Sequence, residues 1–218
     1  MIHRAFSLLL IIAVWHTLAV NSLASVIWDE STSGSLSITQ SAPSTFVLSD
    51  GTDSVLGSVT NLSGSNPRDF ITVTIPAGHQ LTNYVNSVYS STDQQGFTGF
   101  QIGPAISGSI LSSSTYNGWS HYGTGANNTN TQPFPGFNSV GVDLLPIMLS
   151  QSVPQGAQGF SLPLAGGQSY SFIVQQTGSA LTNYQFDFVV SPVPEPGTFG
   201  LLGALAVVAV ALKVVRSA

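Results

Sequence analysis

There is no cysteine in the 218 residues. That excludes a disulfide framework, a thiolate nucleophile and a Cys-based metal site, so stability has to come from core packing. Charge is nearly as scarce. Only 6% of the chain is Asp, Glu, Lys or Arg, against about a quarter in ordinary soluble proteins. Between Ser25 and Pro194 the sole Lys or Arg is Arg68, one cation against eight acids, a net charge of −7. The basic footprint that a nucleic acid or an anionic lipid surface requires is therefore missing. Helical patterning is missing too, because no stretch of this body holds a 3.6-residue apolar period for three turns. What remains is a surface of Ser, Thr, Asn, Gln and Gly, which suits a secreted β-protein in a polysaccharide-rich setting.

The pattern that is present has a period of two. Arg68 to Gly78 alternates Ile71, Val73 and Ile75 with Thr72 and Thr74, and Pro76-Ala77-Gly78 ends the run. Leu81 to Tyr89, Gly96 to Ile102 and Ser169 to Gln175 are further β-rich runs. Tyr184, Phe186, Phe188 and Val190 share one face of a last run. Shorter runs lie at 26–28, 35–39, 45–49 and 55–60. Many short strands punctuated by Gly, Pro, Asn and Ser predict an all-β fold, an antiparallel sandwich or jelly roll. Residues 103–166 are less regular and read as a long surface loop or an elaborated end of the sandwich.

The two ends differ from the body. Met1 to Arg4 is a short basic region and Ala5 to Val14 is apolar, and Ser22-Leu23-Ala24 presents small residues where a signal peptidase reads them. This predicts a secretory signal peptide over 1–24, cut after Ala24. At the other end, Pro194 and Pro196 fix their own backbone angles and keep Glu195 extended. Helix can begin only near Thr198. Phe199 to Leu212 is 14 residues without a charge, roughly 21 Å of helix. Val214 and Val215 lengthen the span if Lys213 snorkels. That makes a marginal transmembrane helix. Lys213 and Arg216 would set its end in the cytoplasm. The expected organisation is signal peptide 1–24, β-sandwich ectodomain 25–190, linker 191–197 and anchor 198–218.

The order Val193-Pro194-Glu195-Pro196, apolar helix, basic end resembles the sorting tail of the PEP-CTERM proteins of Gram-negative bacteria. The likeness covers the last 26 residues. It departs at Lys213 and Arg216, which are spread where the family carries a tight Arg cluster. The resemblance implies a membrane-held precursor, processing near the Pro-Glu-Pro segment by an exosortase-type membrane protease, and release or transfer to the cell surface. The body has a second likeness. Gly57-Ser58-Val59, Asp69 to Gly78 and Gly167 to Gln175 resemble the bacterial pre-peptidase C-terminal domain. That resemblance implies a jelly-roll-like sandwich serving calcium-assisted or polymer binding.

Candidate chemistry is sparse. Asp50-Gly51-Thr52-Asp53 places two carboxylates three residues apart around a turn glycine, a possible calcium loop, or else an ordinary Asp-Gly turn. Asp69 beside Arg68 reads as a solvated pair at a strand start. Ser120-His121 with Asp143 has hydrolase residue types, but strand neighbours point to opposite faces, and no Gly-x-Ser-x-Gly elbow exists. His79 reads as a turn residue. Tyr116, Trp119, Tyr122 and Phe137 form either an aromatic platform for sugar rings or a local mini-core. Asn61-Leu62-Ser63 and Asn127-Asn128-Thr129 fit the glycosylation sequon and read as plain loops. The expectation is an exported, non-enzymatic surface or matrix protein of the exopolysaccharide layer. The alternative is a carbohydrate- or calcium-binding module.

Overall fold

A computed structural model describes residues 24–61, 68–125, 138–150, 159–176 and 178–194. Residues 1–23 of the expected signal peptide, the segment with Phe137, and the tail from Glu195 onward lie outside the described residues. Among the described residues no helix is long and apolar enough to cross a membrane.

Among the described residues eleven strands and two short α-helices follow one another, with a single 3₁₀ turn at Ser113–Thr115. They are β1 (Ser25–Asp29), α1 (Glu30–Ser33), β2 (Ser44–Val47), β3 (Gly51–Val59), β4 (Arg68–Ile75), β5 (His79–Ser90), β6 (Gly96–Ile102), β7 (Gly118–Tyr122), β8 (Val142–Asp143), α2 (Leu145–Ser150), β9 (Leu164–Ala165), β10 (Gln168–Gln175) and β11 (Thr182–Pro192). They build two sheets. The first has the order β1-β3-β11-β5-β8, with β9 also on β5, and the second has the order β2-β4-β10-β6-β7. From β3 to β6 successive strands alternate between the sheets.

The expected all-β sandwich is present, but its sheets are mixed rather than antiparallel. β1 runs parallel to β3, and β2 parallel to β4. Alternation tells which face a residue takes and is silent on the direction of the neighbouring strand. The segment 103–166, read as a long surface loop or an elaborated end of the sandwich, contains a strand at 118–122 that no β-rich run had marked. Its five residues alternate correctly, but Gly118, Ser120 and His121 carry little β signal of their own. The weak run at 35–39 forms only an isolated bridge at Ser37.

Period-two alternation builds the core. On β11, Tyr184, Phe186, Phe188 and Val190 are buried inward. On β4, Ile71, Val73 and Ile75 do the same. The Tyr84 ring lies 4.8 Å from Phe172, 4.6 Å from Phe186 and 5.2 Å from Phe188, centroid to centroid. Glycines opposite aromatics make this possible. Gly57 is the register partner of Tyr184, Gly96 of Tyr122, and Gly118 of Phe100. A Cβ on Gly57 would reach 2.5 Å from Tyr184 Cζ, and one on Gly96 would reach 2.5 Å from Tyr122 Cζ. The rings therefore lie across bare backbone, where a side chain would displace them.

Asp69 corrects the reading of a solvated pair. It is fully buried and accepts a 2.7 Å hydrogen bond from Tyr184 Oη. The cause is parity: residue 69 falls on the same face of β4 as Ile71, Val73 and Ile75.

A second, smaller core lies on the outer face of the second sheet. Phe70 and Ile173 are covered there by Ile106, Tyr116 and Trp119. The loop from Gly103 to Asn117 is tied down by polar side chains. Ser107 N donates to Gln101 Oε1 at 2.6 Å, and Gln101 Nε2 donates to Thr115 O at 2.8 Å. Gln40 Nε2 reaches Ile106 O and Gly108 O at 2.9 Å.

His121 sits at the rim of that small core, with Gly96 O 3.3 Å from its Nδ1. The Trp119 and Phe97 rings pack at 5.8 Å and 6.0 Å. Burial lowers its pKa below the ordinary 6.5, and the Gly96 carbonyl only partly offsets this. The unfolded chain therefore takes up a proton at higher pH than the folded one. Stability from this residue is full above about pH 6.5 and falls as pH drops below it. Urea melts at a series of pH values are expected to show that fall, reduced in His121→Gln. An unchanged slope in the variant would assign the dependence to other groups.

Candidate functional site

The residues singled out from sequence do not converge on one centre. Asp50 is exposed, at the turn before β3. Gly51 takes φ +103° there, a backbone angle that suits glycine. Asp53 is buried, at 1% exposure. Its carboxylate accepts from Ser49 N at 2.6 Å and from Ser49 Oγ at 3.1 Å. Asp53 thus closes the turn by holding the backbone of Ser49. Among the described residues no three His, Asp or Glu side chains gather at metal-binding range.

Ser120, His121 and Asp143 are separated by their hydrogen bonds. Ser120 is buried and donates to the backbone oxygen of His121, while His121 faces the small outer core. Asp143 accepts from Tyr84 N at 2.9 Å, Asn83 Nδ2 at 2.9 Å and Leu145 N at 3.1 Å, joining β5 to the start of α2. His79, read from the sequence as a turn residue, instead opens β5 directly after the turn at Ala77-Gly78 and pairs with Pro192, and its Nδ1 is 3.2 Å from Ala77 O. Tyr116 and Trp119 are buried in the outer core, and Tyr122 is buried in the main one. Of the two readings offered, the mini-core matches the packing of Tyr116 and Trp119, while Tyr122 belongs to the core between the sheets. Phe137 is outside the described residues.

Ala24 is exposed just before β1. β11 continues to Pro192, pairing Ser191 with Gln80 and Pro192 with His79. Val193 N still donates to Gly78 O at 2.8 Å, and its side chain is exposed. Pro194 is exposed beyond it. Glu195, Pro196, Lys213 and Arg216 are outside the described residues. The Pro-Glu-Pro segment thus departs from the end of a central strand of the first sheet.

A concave polar feature lies elsewhere among the described residues. A groove of about 390 Å³ runs over the outer face of the first sheet, walled by β1 and α1. Register builds its floor. Gln185 pairs with Leu56 on one side and Val88 on the other, and Asn183 pairs with Ser58 and Ser90. The next pair along is Ser54 with Asp187. These are alternate residues, so they share the outer face.

The wall is stitched to the floor by carboxylates. Glu30 Oε1 accepts from Leu36 N at 2.7 Å, and Oε2 accepts from Ser58 N at 2.7 Å and Ser58 Oγ at 3.0 Å. Asp29 Oδ1 accepts from Ser31 N at 2.9 Å and Ser31 Oγ at 2.7 Å, capping α1. Asp187 lies next along β11 on the same face, outside the groove's lining. It accepts from Ser54 Oγ at 2.6 Å, from Gln185 Nε2 at 2.8 Å and from Ser87 Oγ. Asn183, Gln185 and Asp187 stand on the face of β11 opposite its apolar parity. This complementary parity marks a polar outer face in the sequence but not the groove that register builds on it.

Comparison with family models, with curated proteins and with solved structures finds no match to this chain.

Proposed function

We propose that this is an exported, non-enzymatic surface or matrix protein, sorted through its C-terminal Pro-Glu-Pro tail into the exopolysaccharide layer of a Gram-negative cell. The observation that carries the reading is the tail itself. Val193-Pro194-Glu195-Pro196 carries two prolines whose residue type disfavours helix, Phe199 to Leu212 is an uncharged run of 14 residues, and Lys213 and Arg216 come next. A signal peptide ending at Ala24 would open the route, and the anchor would hold the precursor in the membrane until an exosortase-type protease acts. The ectodomain supplies a body suited to that setting, with one Arg and no cysteine over residues 25–194.

Its finer architecture is read as a jelly roll. What supports this is the interleaved order, β3-β11-β5-β8 in one sheet and β4-β10-β6-β7 in the other. β1 and β2 are then additions at one edge of each sheet. The low positive charge argues against nucleic acid as a partner.

Pulse labelling and fractionation test the sorting step. The label is expected first in the membrane fraction and later, at lower mass, in the surface or medium fraction. Label that stays in the cytosol, or that leaves the membrane at unchanged mass, would refute the reading.

A further inference from the structure

We propose that the groove on the outer face of the first sheet binds a neutral oligosaccharide. The inference stands on the ectodomain alone and does not rest on the sorting tail. The groove's volume, about 390 Å³, is in the range of small-ligand sites, about 300–1,000 Å³.

The chemistry of its free groups selects the ligand. Asp29 spends Oδ1 on Ser31 and makes no hydrogen bond with Oδ2 among the described residues. Gln185 spends its amide nitrogen on Asp187, which leaves Oε1 to accept. Asn183 is exposed and makes no side-chain hydrogen bond among the described residues, so it offers both donors and acceptor. On either side of Gln185, Leu56 of β3 and Val88 of β5 each add an apolar side chain to the floor, Val88 being 43% exposed. A saccharide matches this combination, because its hydroxyls both donate and accept while its ring faces present C–H.

Other ligands fit worse. A hard cation takes about six or more oxygen ligands, but both Glu30 oxygens and one Asp29 oxygen already accept from protein donors. An anionic glycan would meet two carboxylates and no Lys or Arg in the groove.

Titration of the full chain in a sugar-free detergent tests the proposal. The probes are cellohexaose, mannohexaose and chitohexaose, with hexagalacturonate as the anionic control. At least one neutral probe is expected to saturate in the millimolar range or tighter, with and without EDTA. The Asn183→Ala, Val88→Ala double variant is expected to bind at least tenfold more weakly. Both side chains are exposed, so its melting should match the parent. If it melts early, Asn183→Asp, which keeps the size, is the second variant and should weaken binding as well. No saturation by any neutral probe at about 10 mM, binding unmoved by the groove variants, or binding lost with EDTA would overturn the proposal. A failed titration leaves the tail reading intact, and a failed fractionation leaves the groove intact.

Discussion

Replacing Phe186 by alanine is expected to destabilise the sandwich by about 3–5 kcal/mol, the usual cost of removing a buried aromatic ring. Phe186 is fully buried. Its ring stacks on Tyr84 at 4.6 Å and meets Tyr122 edge-on at 5.1 Å and Tyr184 at 5.4 Å. These partners come from β5, β7 and β11, one of which belongs to the opposite sheet. The cavity would therefore open between the sheets, where neither can relax alone. Against a total stability of about 5–15 kcal/mol, the melting temperature should fall on the order of 10 °C. Leu111 is the control, at 83% exposure, and Leu111→Ala should change stability by less than about 0.5 kcal/mol. A Phe186→Ala cost under about 1 kcal/mol would mean that the sheets do not pack through this ring.

Tyr184→Phe is expected to cost about 1.5–3 kcal/mol, the range for a hydrogen bond to a charged group. The substitution keeps the ring over Gly57 and removes only the hydroxyl that donates to Asp69 at 2.7 Å. The carboxylate is fully buried, so water cannot replace the lost donor. The variant has a second signature at high pH. Burial first, and the Asp69 charge next, raise the Tyr184 pKa well above its ordinary 10. The unfolded chain then ionises before the folded one, and stability present below about pH 10 is lost above it. Tyr184→Phe removes one such group and should flatten the alkaline limb of the stability profile. Equal stability of parent and variant at pH 7, with parallel alkaline limbs, would remove Asp69 and Tyr184 from any structural role as a pair.

How far the sequence reveals this molecule follows from what alternation encodes. Ile71, Val73 and Ile75 mark the inner face of β4, and Tyr184, Phe186, Phe188 and Val190 mark that of β11, so strands and core were both legible. Direction was not, since β1 and β2 run parallel to their neighbours with side-chain patterns any strand would show. β7 was hidden because Gly118 serves to clear space for Phe100 rather than to favour a strand. Asp69 was misplaced because its type outweighed its position: a carboxylate next to Arg68 suggested solvent, while the period put it inside. The groove was invisible for another reason. Its floor joins Leu56, Val88, Asn183 and Gln185, which only strand register across β3, β11 and β5 brings together. The Asp50 and Asp53 pair shows the opposite limit, adjacency in sequence that the fold divides between solvent and core.

The central claim is that the tail sorts this sandwich to the cell surface, and the intact mass of the mature protein isolated from the surface or medium tests it most directly. The account predicts a chain that begins at Ser25 and ends near Pro194 to Pro196, lacking the segment from Phe199 to Ala218. A mature surface protein whose mass still includes Phe199 to Ala218 would contradict it.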